Sequence, residues 1–123
     1  MARTLIAVQA PPGSYPVLPL TALAAQFVLT VADIVNFNAA VVTGREILLV
    51  QNTAAGAGTV TVTSIVDTLN RVGDITAYSL PANSFAILGP FSLSGWKQAD
   101  GNLYFAGSAV TILFAVIRLP SIA

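Results

Sequence analysis

"GTVTVTSIVD", residues 58–67, alternates valine with threonine, so Val60, Val62 and Ser64 fall on one face of an extended chain and Thr59, Thr61 and Thr63 on the other. A period of two belongs to a strand with one face on a core and the other toward solvent. The valine and threonine content suits a pleated surface. This is the clearest structural statement in the chain.

Reading outward from it, "REILLVQNT" (45–53) is a second β-rich run, and "AAGA" (54–57) separates the two. A link this short predicts a hairpin. "DITAYSL" (74–80) and "NSFAILG" (83–89) follow as strands parted by Pro81, then "NLYFA" (102–106). "VTILFAVIRL" (110–119) is apolar on both faces and suits a central strand. Upstream, "RTLIAV" (3–8) reads as a short extended segment. "LTALAAQFVLTVAD" (20–33) is ambiguous: its alanines suit a helix, while alternating Phe27, Leu29 and Val31 favour a strand toward its end. Many short strands with turn signals between them predict an all-β fold, an antiparallel β-sandwich or barrel of jelly-roll-like type.

"QAPPGSYPVLP" (9–19) holds four of the seven prolines. Proline fixes φ and donates no amide hydrogen, so this stretch is an arm or an edge connection rather than a central strand. The chain therefore divides into a Pro-rich N-terminal arm, residues 1–20, and a single β-sandwich domain, residues 21–123.

Charge is the anomaly. Apolar residues make up 55% of the 123 and charged residues only 8%, five of each sign, with mean hydropathy +0.81. Ordinary soluble domains carry about 25% charged residues. No basic footprint for nucleic acid exists. The uncharged span from Thr4 to Ala32 is broken by Gln9, Ser14 and the prolines, so no apolar run reaches the roughly 18–20 residues of a membrane-spanning helix. "TLIAV" is also too short for a secretory signal. Eleven Thr, eight Ser, six Asn and four Gln can cover part of a surface. Burial in an assembly would cover more, because charge is depleted at interface cores. A homo-oligomer is the expectation.

With no histidine and no cysteine, imidazole- and thiolate-based catalysis and zinc ligation have no residues to use. Asp33, Glu46, Asp67, Asp74 and Asp100 stand mostly beside turn residues, where such side chains cap backbone amides. "DIVNFN" (33–38) could offer Asp33, Asn36 and Asn38 to calcium but lacks the dense acidic spacing of a calcium loop. "AGAG" (55–58) lacks the Lys-Ser/Thr of a phosphate cradle. No enzyme activity, cofactor or metal is expected. The mixed-sign groups Arg45–Glu46, Asp67–Arg71–Asp74 and Lys97–Asp100 read either as a rim setting register between subunits or as charges excluded from packed strands.

"GPFSLSGWKQADG" (89–101) contains the single tryptophan. It reads as a corner: Gly89-Pro90 ends one strand, Asp100-Gly101 turns into the next, and Trp96 covers one end of the core, anchors an interface or offers a ligand platform. The candidate interface and corner residues are Pro11, Pro12, Tyr15 and Pro16 in the arm, with Phe91, Trp96, Lys97 and Asp100 in the corner.

In order along the chain, "TGREILLVQNT" (43–53), "TVTVTSIVD…RVGDITAYSLPA" (59–82), "LGPFSLSGWKQADGNLYF" (88–105) and "FAVIRLP" (114–120) resemble small proteins from the structural-gene regions of tailed bacteriophages, of the capsid decoration (cement) type. The resemblance spans roughly residues 26–120. It implies a β-rich protein, most often a trimer, on the capsid exterior of the virion. There it would bind the major capsid protein and stabilise the shell. A tail, baseplate or head-fibre component is the nearest alternative. A glycan-binding sandwich using Trp96 and Tyr104 as stacking platforms is a more distant one.

Overall fold

The computed structural model describes residues 3–10, 28–66, 69 and 73–119. The strands are β1 (Thr4–Leu5), β2 (Val8–Gln9), β3 (Thr30–Val31), β4 (Asn38–Val41), β5 (Glu46–Asn52), β6 (Gly58–Thr63), β7 (Ile75–Leu80), β8 (Ser84–Leu88), β9 (Asn102–Gly107) and β10 (Ile112–Arg118). A single irregular turn, α1 (Leu93–Trp96), stands between β8 and β9.

Two sheets pack face to face. The first runs β1-β4-β9-β6-β7; the second runs β2-β10-β5-β8, with β3 also on β10. Counted from β3, the orders 4-9-6-7 and 3-10-5-8 are those of a jelly roll, in which the chain changes sheet at almost every connection. Both sheets have free ends, so the barrel alternative is not realised. The pairing is antiparallel except where β1 lies parallel to β4 and β2 parallel to β10. Of the expected arm, residues 3–10 thus enter both sheets. Residues 11–20, with Pro11, Pro12, Tyr15 and Pro16, lie outside the described residues.

The alternation in β6 holds: Val60 and Val62 are buried, while Thr59, Thr61 and Thr63 are half-buried on the opposite face. Across the sandwich, Phe105 of β9 meets Phe114 of β10 edge-on, ring centroids 4.7 Å apart. This geometry favours the ring quadrupoles and joins the two layers at the centre of the core.

The expected hairpin between residues 45–53 and 58–67 does not form. β5 pairs with β10 and β8, while β6 pairs with β9 and β7, so the link at 53–57 crosses between sheets. The reason lies in Asn52, whose side chain points into the sandwich. Its amide donates to the carbonyls of Gly56, Leu80 and Pro81, and its oxygen accepts from the amide of Ala54. Those bonds hold the β5–β6 crossing against the β7–β8 crossing, and Asn83 N adds a bond to Ala54 O at 3.2 Å.

Candidate functional site: an uncharged sheet face and a corner

The inward row of β5 is Glu46, Leu48, Val50, Asn52, all buried. Its apolar middle fills the core and its two polar ends hold loops. Glu46 accepts from the amides of Thr43, Gly44 and Arg45, from the Thr43 hydroxyl, and from Arg118 Nε on β10. Burial pushes its carboxyl up; the bonds from Arg118 and Thr43 outweigh that and hold its pKa at about 2. The pair Arg45–Glu46 is therefore not a surface rim group on the glutamate side. Glu46 is fully enclosed, with Arg118, 72 residues away, as its cationic partner.

The other side of β5 looks outward, and there the two sheets differ. On the β2-β10-β5-β8 sheet the register aligns Val31–Leu113–Gln51–Phe85, then Ala115–Leu49–Ile87, then Gln9–Ile117–Ile47. No charge lies in these rows and only the two glutamines are polar. The centre is sheltered, Ala115 and Ile117 being buried, whereas Val31, Phe85 and Ile87 at the flanks are exposed. The outward face of the other sheet carries Leu5–Ala39–Tyr104–Thr63, Val41–Asn102, Ala106–Thr61 and Thr59–Ser79. An antiparallel sheet commonly keeps its second face polar. The Thr-rich sheet broadly does so and the other does not.

The corner at 89–101 closes one end of the sandwich. Phe91 is buried, its amide donating to Glu46 O at 3.2 Å, and Trp96 meets it edge-on with centroids 5.0 Å apart. Trp96 is half-buried against the core. Ile65 N bonds to Gly95 O, and Gln98 Nε2 bonds to Thr63 O, tying the corner to the end of β6. Gly95 and Gly101, at φ 94° and 88°, supply left-handed positions that a side chain would strain. Phe91 and Trp96 come together; Lys97 and Asp100 stand exposed. Asp100 accepts from the Tyr104 hydroxyl at 2.7 Å, which lowers its own pKa and raises that of Tyr104.

The two aromatic platforms considered for a glycan are engaged within the chain. The Arg3 guanidinium sits 4.3 Å from the Tyr104 ring centroid, and the Trp96 ring leans on Phe91. In "DIVNFN", Asp33 accepts from the amides of Val35 and Asn36 and from the Thr4 hydroxyl, and it donates its own amide to Asn38. Its oxygens cap this turn and tie it to β1. Among the described residues there is no cluster of three acidic side chains placed to hold a metal, and no helix is long and apolar enough to cross a membrane.

Sequence reasoning missed Glu46, Asn52 and the outward apolar face as structural features. A signal existed: in "REILLVQNT" the polar residues Glu46 and Asn52 share the inward parity with Leu48 and Val50, leaving Ile47 and Leu49 to point outward. Compared with protein-family models, with curated proteins and with solved structures, the chain matches none.

Proposed function

We propose that the protein is a virion structural component of the capsid-decoration type, which self-associates and binds the outer surface of a phage capsid, where it ties neighbouring capsid subunits together. The observation that carries this reading is the charge-free, apolar outward face of the β2-β10-β5-β8 sheet. The exposed flanks of this face, Val31 on one side and Phe85 and Ile87 on the other, favour association, because removing apolar surface from water is the main driving force of contact. Scarcity of charge across the whole chain points the same way. Jelly rolls serve in viral capsids and in lectins alike, so the fold by itself supports the reading only by analogy. The Tyr104 and Trp96 rings that the glycan alternative would use both have partners within the chain.

A decoration protein needs no catalytic group. It needs a rigid core, a surface for its own copies and a surface for the shell. Many copies on one lattice gain from multivalency, so each contact can be modest. Immunogold imaging of virions with an antibody against the purified protein tests the placement. Label distributed over the head supports the reading. Label confined to the tail or baseplate, or absent from the particle, overturns it.

A further inference from the structure

Two sheets have four edges, and three of them are blunted. β1 is two residues long; β2 and β3, also two each, share the outer side of β10. β7 is longer, but its register breaks opposite Val60–Val62, and Ala77 takes φ 50°, a left-handed position rare for a residue with a side chain. Shortness and bulges are the means by which sheets avoid adding strands from other molecules.

β8 has none of these devices. Its five residues pair with β5 without a break and include no charge and no proline. Phe85 is 59% and Ile87 66% exposed on the outward face. Among the described residues no strand occupies its free side.

We infer that the free side of β8 pairs with β8 of a second copy, antiparallel about a two-fold axis through Ala86. The inference deepens the self-association in the proposed function, with a two-fold pair in place of the trimer that the resemblance implies, and rests on that reading for its purpose. In this register Phe85 of each copy stands opposite Ile87 of the other, an aromatic–β-branched pair made twice on one face. In an isologous contact residue i meets j and j meets i, so on a strand this short a charge would lie close to its copy across the axis. The strand carries none, which fits a partner identical to itself. It also sets the outward faces of the two copies side by side, with the exposed Phe85 and Ile87 of both at the seam. The edge is about 17 Å long, so the pair buries less than the roughly 800 Å² per partner of a standard interface. The dimer is accordingly concentration-dependent.

Sedimentation equilibrium of the full chain across the micromolar range tests the pairing, with Phe85→Lys/Ile87→Lys as the comparison. Both side chains point away from the core, and the double substitution sets lysine against lysine across the axis. The expected result is a monomer–dimer equilibrium in the parent, weakened at least tenfold in the variant. In parallel, β8 amides of the parent should exchange more slowly as concentration rises. A parent that stays monomeric, a mass of three copies, or an association unchanged by the lysines would overturn the inference. Binding to phage heads is scored separately. A parent that dimerises but ignores heads removes the functional reading and leaves the edge pairing; a monomer that binds heads does the reverse.

Discussion

The Asn52 amide donates to the carbonyl of Leu80 at 3.1 Å, joining the start of one crossing between the sheets to the start of the other. With its bonds to Gly56 and Pro81 it is the fastener of that end of the sandwich, as Glu46 is of the opposite end.

Asn52→Leu keeps the volume and removes the donors, taking this partner from the carbonyl of buried Leu80 and from those of Gly56 and Pro81. Each unsatisfied buried group costs about 1–3 kcal/mol, and relaxation lets water reach some of them. The expected loss is about 3 kcal/mol in urea unfolding. A loss under about 0.5 kcal/mol would mean the crossings hold without this residue.

Glu46 predicts an acid dependence with a definite sign. Its folded pKa of about 2 lies below the ordinary 4.5, so the stability it contributes is present above pH 4.5 and is lost as pH falls toward 2. Asp33, held near 2 first by the Thr4 hydroxyl and then by the Asn36 and Val35 amides, acts in the same window. Thermal unfolding should show a falling midpoint across this range. Glu46→Gln should lower stability by about 3 kcal/mol at pH 7, since a buried partner is removed from Arg118, and should flatten the acid slope. An unchanged slope would contradict the assignment.

Trp96→Ala should cost about 2 kcal/mol, less than the roughly 3–5 kcal/mol of a fully enclosed aromatic, because the indole is only half-buried beside Phe91. Calorimetric unfolding measures it. A variant of parental stability that no longer assembles would make Trp96 an interface anchor instead.

Leu49 lies between Ala115 and Ile87 on the outward face. Leu49→Lys should leave unfolding within about 1 kcal/mol of the parent, as outward substitutions usually do, while reducing binding to phage heads at least tenfold. Pull-down on purified heads measures this. Unimpaired binding would move the docking surface elsewhere.

Much of this architecture was legible in the residues because period-two alternation reports burial directly. Val60 and Val62 placed β6, and the apolar run from Ile112 to Ile117 placed β10 centrally. The pairing of β5 with β6 was misread because a short link suggests a hairpin wherever the next strand lies beside the last. Only the inward Asn52 shows that the link climbs between sheets, and its partners at Leu80 and Pro81 are 28 and 29 residues away. Glu46 beside Arg45 likewise resembled a surface pair, since nothing local reveals that its cation is Arg118. The corner at 89–101 was readable from its glycines, and the engaged rings of Tyr104 and Trp96 were not.

Rebinding of the purified protein to phage heads stripped of it tests the central claim most directly. Saturable binding, at a fixed ratio of copies to capsid subunits and with the heads regaining resistance to heat or dilution, is the predicted result. Heads that take up no protein, with tails from the same particles binding it, would contradict the account.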